Sequence, residues 1–185
     1  KNTCDGAGNV YTLGSVDLGG STESVLIKYS PTGIELWTYN VSEGTSTSPI
    51  DLLQASTGNL LILSESTISG QAASVITEVS PSGVQLNQYI FDTGFDDSPM
   101  RFDERAGDIV VGISTLDGGN RYSTALKLNS GFTVDWTYTY NSTTWEDIQN
   151  IKFDGAGNVV ALLDRSNTDH QAIVEKTNGS GASLW

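Results

Sequence analysis

The chain has 185 residues, of which 42 are Ser or Thr, and it carries a formal net charge of −13 at neutral pH. Small hydroxyl side chains favour strands and turns over long amphipathic helices. The negative charge argues against a nucleic-acid partner, because binding to phosphates requires a basic face. It equally opposes adsorption to an anionic membrane, and no apolar run reaches the length of a membrane span. The sequence therefore predicts neither nucleic-acid binding nor membrane insertion.

The scarcity of sulfur and imidazole groups restricts the chemistry further. Cys4 is the single cysteine, so no disulfide can form within the chain. His170 is the single histidine and lies in a polar segment. A tetrahedral zinc site made from nitrogen and sulfur ligands is therefore excluded within one chain. A Ser-His-Asp relay through His170 stays open, although the sequence contains no Gly-x-Ser-x-Gly elbow.

A turn motif divides the chain into four copies of one unit. A Gly-Asn or Gly-Asp pair occurs at 8–9, 58–59, 107–108 and 157–158. Each pair precedes a short apolar run, which the pattern predicts to be a strand. These runs are 10–13, 60–63, 109–111 and 159–162. The spacing of 49 or 50 residues between copies is the signature of a repeat architecture.

Two further markers recur in phase with the first. A second turn, rich in Ser, Pro, Asn and Gly, lies at 30–33, 80–83, 129–131 and 178–181. The strand predicted after it carries an indole in three copies, at Trp37, Trp136 and Trp185, and Asn87 in the second copy. A tyrosine follows two residues later, at Tyr39, Tyr89 and Tyr138.

Four short strands per copy predict an all-β fold, a β-propeller of about four four-stranded antiparallel blades of ~50 residues each. The blades span approximately 1–40, 48–91, 98–141 and 147–185 of a single array. The chain starts and stops inside predicted strands. We therefore expect a piece of something longer, a slice of a larger propeller or of an assembly, with a closed four-bladed ring as the alternative.

The recurring aromatic residues are predicted to dock one blade on the next, because a blade cannot cover both of its faces by itself. Burying an indole at such a seam contributes about 2 to 4 kcal/mol. This structural role is expected for all three indoles and for Tyr39, Tyr89 and Tyr138. Asn87 breaks the pattern, so the seam after the second blade is expected to be the weakest.

The repeat resembles two propeller families. Residues 26–37 and 172–185 resemble the tryptophan-docking repeat of quinoprotein-like propellers, and residues 5–11 and 154–160 are similar to bacterial surface propeller repeats. The resemblance covers essentially the whole chain and implies blade architecture. The quinone-binding enzymes of the first family hold their cofactor with a vicinal disulfide and a calcium site. A chain with one cysteine departs from that pattern, and we expect no quinone.

Calcium is the one metal for which the sequence offers suitable ligands, and no other cofactor is expected. Asp92, Asp96 and Asp97 crowd one segment between blades, and hard carboxylate oxygens are what calcium prefers. The Asp5 segment, by contrast, is more simply a turn whose carboxylate accepts local backbone hydrogen bonds.

The functional prediction is a non-enzymatic propeller, extracellular or at the cell surface, that acts as a structural or adhesive scaffold or as an assembly subunit. Protein partners or self-association are expected. The alternative is a carbohydrate- or protein-binding propeller, for which Trp145 and Phe95 are the candidate exposed aromatic residues. A third reading, a polysaccharide hydrolase or lyase, requires two carboxylates that converge in one pocket.

Overall fold

The computed structural model describes residues 1–140, 145–166 and 171–185, and for Trp145 and Ser166 it describes the backbone alone. Within these ranges the chain forms fifteen β-strands and no helix, which confirms the all-β prediction. It follows that none of the described residues belongs to a helix that could cross a membrane.

The strands form four antiparallel sheets in the order of the chain. Sheet 1 contains β1 (Asn2–Cys4), β2 (Val10–Asp17), β3 (Thr22–Tyr29) and β4 (Glu35–Val41). Sheet 2 contains β5 (Thr47–Gln54), β6 (Leu60–Ile68), β7 (Gln71–Val79) and β8 (Gln85–Phe91). Sheet 3 contains β9 (Asp96–Arg105), β10 (Asp108–Asp117), β11 (Asn120–Leu128) and β12 (Val134–Tyr140). Sheet 4 contains β13 (Trp145–Phe153), β14 (Val159–Ser166) and β15 (Gln171–Thr177).

The outer edge of sheet 4 continues the pairing of the other three sheets. Thr177 forms an antiparallel bridge with Ser183, and the Lys176 amide donates to the Trp185 carbonyl at 2.8 Å. In sheet 1 the equivalent partners are Lys28 and Trp37. The indole position therefore has the same register in the first and fourth sheets.

The burial of each strand reflects how many neighbouring sheets cover it. In β2 the side chains of Tyr11 and Leu13 are buried, whereas those of Val10 and Thr12 are exposed, which is the alternation of a sheet covered on one face. In β6 six of nine residues are buried and in β10 seven of ten, on both faces of the strand, because sheets 2 and 3 have a neighbour on both faces.

The sheets pack in series, with the first strand of each sheet against the preceding sheet. The described residues form three apolar cores, one between each consecutive pair of sheets, and none of these cores joins sheets 1 and 4. Each core combines side chains from one face of a sheet with side chains from the face of the next sheet that packs against it. Representative members are Leu13 and Leu52 between sheets 1 and 2, Leu63 and Phe102 between sheets 2 and 3, and Val110 and Ile151 between sheets 3 and 4.

At two of the three seams a buried serine on the third strand links neighbouring sheets. Ser74 Oγ donates to the Asp97 carbonyl at 2.8 Å, and Ser123 Oγ donates to the Glu146 carbonyl at 2.9 Å. The equivalent residue of sheet 4 is Ala172. The outward face of sheet 4 therefore lacks this hydroxyl.

Candidate functional site

The structural feature that recurs along the chain is the seam between consecutive sheets, and its first example holds Trp37. The indole of Trp37 is half-buried and donates from Nε1 to the Pro81 carbonyl at 3.1 Å. A Cβ atom added at Gly83 would lie 3.0 Å from the Trp37 ring, so the ring rests directly on this glycine. Lys28 Nζ donates to the same Pro81 carbonyl at 2.9 Å. One turn of sheet 2 thus receives two donors from sheet 1.

The seam between sheets 3 and 4 repeats this geometry. Trp136 Nε1 donates to the Gly179 carbonyl at 3.0 Å, and a Cβ atom at Gly181 would lie 2.9 Å from the Trp136 ring. Gly181 has a φ of 84°, a left-handed conformation that favours glycine, and Gly83 has a φ of 85°. The turn therefore supplies a flat backbone platform on which an indole can lie.

The middle seam, between sheets 2 and 3, is built differently. Asn87 takes the indole position and donates from Nδ2 to Glu78 Oε2 at 2.7 Å, within its own sheet. Phe132 takes the position of the platform glycine, keeps a left-handed φ of 58°, and is buried in the core between sheets 2 and 3. Of these two positions, the one that carries an aromatic ring thus belongs to the later sheet.

The three tyrosines two residues beyond the indole position are half-buried, one at each seam. Tyr39 Oη donates to Gln85 Oε1 of the next sheet at 2.5 Å. Burial raises the pKa of the Tyr39 and Tyr89 phenols above its usual range. Tyr138 packs edge-on against Tyr140, with the ring centroids 4.9 Å apart.

The fourth indole has a different environment. Trp185 is 64% exposed, so no seam within the chain covers it. At the opposite end of the array, the turn that carries Gly33 has the platform conformation, with a φ of 81°, and the space above Gly33 is open. The two halves of a seam thus lie uncovered on sheets 4 and 1.

The aspartates proposed as calcium ligands are directed at different partners. Asp97 is fully buried and accepts from Thr93 Oγ1 at 2.8 Å and Thr115 Oγ1 at 2.6 Å. Asp92 accepts from a backbone amide two residues along the chain, and Asp96 accepts from the Ala72 amide at 3.0 Å. Across the described ranges, no three His, Cys, Asp or Glu side chains form a group that could hold a metal ion. These carboxylates order the chain between two sheets.

Two of the Gly-Asn turns are held by carboxylates that follow one scheme. Asp5 Oδ1 accepts from the Asn9 amide at 2.9 Å, and Asp154 Oδ1 accepts from the Asn158 amide at 2.9 Å. The hydrogen bond from the Asn9 side chain is the main reason that the pKa of Asp5 falls to about 2. The ammonium of Lys176, 2.8 Å from Asp154, lowers the pKa of that carboxyl further below its usual range.

Two acidic residues join sheets in a way that the sequence did not reveal. Glu104 accepts from the Ser56 amide at 2.8 Å and from Ser56 Oγ at 2.6 Å, between sheets 3 and 2. Asp103 accepts from Lys152 Nζ and from the Phe153 amide, at 3.0 and 2.9 Å, between sheets 3 and 4. In each pair the two partners lie about one repeat apart in the chain. That spacing is the sequence feature that could have indicated these contacts.

Of the candidate binding aromatics, Phe95 is 37% exposed. The side chain of Trp145 and the whole of His170 lie outside the described residues. A groove of about 530 Å³ opens between sheets 2 and 3, beside β9. Its lining combines charged, hydroxyl and apolar groups, namely Glu65, Ala72, Asp96, Ser98, Met100, Ser114, Leu116 and Arg121. Such a mixture can hydrogen-bond a polar ligand and contact its apolar faces.

Comparison with known proteins adds little to this description. No family model matches the chain, and no curated protein matches it. A Bacteroides caccae protein of unknown function is 13% identical, with 100% of this chain and 79% of that chain covered and a TM-score of 0.44. The tail fiber of Staphylococcus aureus phage P68 is 8% identical, with 94% of this chain and 48% of that chain covered and a TM-score of 0.37. TM-scores this low carry no argument about architecture or function.

Proposed function

We propose that the chain forms four blades of a β-propeller and acts as a non-enzymatic scaffold at the cell surface or in the extracellular medium. The observation that carries this proposal is the repeated seam, in which an indole lies on a glycine turn and donates to a turn carbonyl at two of the three junctions. Four-stranded antiparallel sheets that repeat near 50 residues and stack in series are typical of propeller blades.

The use of the acidic side chains supports a structural role. The carboxylate oxygens of Asp97, Asp103 and Glu104 accept hydrogen bonds in loops and at junctions between sheets. The carboxylate oxygens of Asp5 and Asp154 accept hydrogen bonds within turns. A polysaccharide hydrolase requires two carboxylates that are directed at its substrate. These five carboxylates are instead part of the framework of the fold. The net charge of −13 favours solubility.

The scaffold proposal is tested by unfolding and by ligand addition. In urea, tryptophan fluorescence reports the seams and far-ultraviolet circular dichroism reports the strands. We expect one coincident transition by both probes, because each seam couples one sheet to the next. We also expect no change of melting temperature with cello-, xylo- or malto-oligosaccharides. A melting temperature that rises with the concentration of one of these sugars would contradict the scaffold and favour a binding function.

The groove between sheets 2 and 3 favours one second candidate, a carbohydrate-binding propeller. Sugars present hydroxyl groups and apolar ring faces, and Glu65, Ser98 and Met100 offer the matching groups. If an oligosaccharide raises the melting temperature of the wild type, Glu65→Gln and Met100→Ala should each reduce that rise. The matched control is Thr32→Ala, on a turn of sheet 1 away from the groove. A rise that the groove variants leave unchanged would place the sugar elsewhere.

A further inference from the structure

The face of sheet 4 that points away from sheet 3 repeats the face of sheet 1 that packs on sheet 2. In register, Val160 pairs with Lys176 and Leu162 pairs with Val174. In sheet 1, Tyr11 pairs with Lys28 and Leu13 pairs with Leu26, and those four side chains face the seam that holds Trp37. The outward face of sheet 4 therefore keeps an apolar side chain at each of the three apolar positions and a lysine at the fourth.

Despite this pattern, the face of sheet 4 is uncovered. Leu162 is 38% exposed, Val174 is 48% exposed and Trp185 is 64% exposed, whereas Leu13 and Leu26 of sheet 1 are 2% and 0% exposed. Apolar side chains grouped on one sheet face and left in water are typical of an interaction surface. We call this surface the Trp185 face.

The complementary half of a seam lies on sheet 1. The turn at 30–33 has the sequence Ser-Pro-Thr-Gly, and the turn that receives Trp37 has the sequence Ser-Pro-Ser-Gly. Both turns close with the same backbone hydrogen bond, from Gly33 to Ser30 and from Gly83 to Ser80, each at 2.9 Å. Gly33 has no heavy atom within 4 Å of its Cβ position, whereas Gly83 is covered by an indole. We call this surface the Gly33 face.

The Gly33 face departs from the inner sheets at several strand positions. Thr12 and Gly14 stand where sheet 2 has Ile62 and Ser64. Val10, which corresponds to the fully buried Leu60, is 39% exposed. The Gly33 face is therefore less apolar than an inner face. On the Trp185 face, Ala172 lacks the hydroxyl with which Ser74 and Ser123 bond to the next sheet. A contact between the two faces should be weaker than an internal seam and reversible.

Building on the proposed scaffold role, we infer that the Trp185 face of one copy docks on the Gly33 face of a second copy, in a head-to-tail contact. The indole of Trp185 lies on Gly33 and donates to the Pro31 carbonyl, as Trp37 does with Gly83 and Pro81. A second copy is a suitable occupant because its turn at 30–33 repeats the turn that receives Trp37, and because the space above Gly33 is open. Among the described residues no core joins sheet 4 to sheet 1 of the same copy. A heterologous contact of this kind generates rings or open filaments.

The test uses sedimentation velocity on the 185-residue chain over a wide range of concentrations. We expect the weight-average mass to rise to about twice the monomer mass or more as concentration increases. Added salt should strengthen association, because it screens the repulsion between copies that each carry a charge of −13. Trp185→Ala removes the ring from one face, and Val10→Asp places a charge in the other face without straining the turn.

Each variant by itself should remain monomeric, with an unchanged circular dichroism spectrum that shows an intact fold. An equimolar mixture of Trp185→Ala and Val10→Asp should form a one-to-one dimer and nothing larger, because each variant retains one working face. A wild type that stays monomeric at all concentrations and salt levels would overturn the inference. So would a mixture that stays monomeric while the wild type associates. Either result leaves the scaffold proposal to the sugar and unfolding tests, which do not depend on association.

Discussion

At the seam between sheets 3 and 4, Trp136 of the earlier sheet lies on Gly181 of the later one. At the seam between sheets 2 and 3, the earlier sheet offers Asn87 and the later sheet offers Phe132 at the same two positions. The aromatic ring thus belongs to the earlier sheet at one seam and to the later sheet at the other. Because dense packing requires only that the space between sheets be filled, either sheet can supply the ring. The comparison shows that the ring at this pair of positions can belong to either sheet of a seam.

The largest effect is expected from removing the ring at an indole seam. Trp136→Ala should lower the free energy of unfolding by about 3 kcal/mol, since it deletes buried aromatic surface and leaves a cavity. Asn87→Ala, at the matching position of the middle seam, should cost about 1 kcal/mol, because it removes one hydrogen bond to Glu78. Urea denaturation measures both. Equal losses would show that the two seams are equivalent after all.

A smaller effect is expected from blocking the glycine platform. Gly181→Val and Gly33→Val both place a side chain at a left-handed φ, of 84° and 81°, so they share the same backbone strain. Only at Gly181 would the new Cβ also meet an indole, at 2.9 Å. The Gly181 variant should therefore be less stable than the Gly33 variant by about 2 kcal/mol. This comparison is made at low protein concentration, and a difference near zero would show that the ring moves aside freely.

The exchange of sides at the middle seam can be tested by reversing it. Asn87→Trp should be destabilising by itself, because Phe132 stands at the turn position where the other two seams have a glycine under the indole. Phe132→Gly should be destabilising because it removes a buried ring from the core between sheets 2 and 3. The double variant recreates an indole over a glycine. We expect it to be more stable than the sum of the two single changes by at least about 1 kcal/mol. Additive losses in the double-mutant cycle would mean that the two positions do not share one seam.

The smallest effect concerns the turns, and it depends on pH. The pKa of Asp5 is about 2 in the folded chain, and that of Asp154 is also lowered. An unfolded Asp has a pKa of about 3.9, so between about pH 4 and 2 the unfolded chain binds more protons than the folded one. The stability that these two carboxylates contribute is complete above about pH 4. It is lost as the pH falls through their folded pKa values.

The measurement compares wild type with the Asp5→Asn and Asp154→Asn double variant by urea denaturation at several pH values. The wild type should be the more stable protein at pH 7, and the difference should shrink as the pH approaches 2. The comparison isolates these two carboxylates from the other acidic residues, which both proteins share. A difference that stays constant down to pH 2 would show that protonation of these two carboxylates does not change the stability of the fold.

The stacked sheets place several of the predicted site residues in environments that the sequence did not distinguish. The sequence treated Trp37, Trp136 and Trp185 alike, but the structure half-buries two of them and leaves the third 64% exposed. Asp92, Asp96 and Asp97 were grouped as calcium ligands because they are close in sequence. Alternation along β9 turns Asp96 and Asp97 to opposite faces, so their carboxylates find different partners. The prediction that the second seam is the weakest considered Asn87 alone. It did not consider Phe132 of the next sheet, which is buried at that seam.

The sequence by itself determined the all-β fold, the repeat of about 50 residues and the turn positions, because these depend on neighbours along the chain: alternation of apolar residues, and the backbone angles that Gly, Asn and Pro favour. Only the tertiary structure decided which groups meet across a seam. Glu104 and Ser56, or Trp136 and Gly181, are about 45 residues apart and come together only when one sheet lies on the next. Contacts of that kind depend on stacking geometry, which local periodicity does not encode.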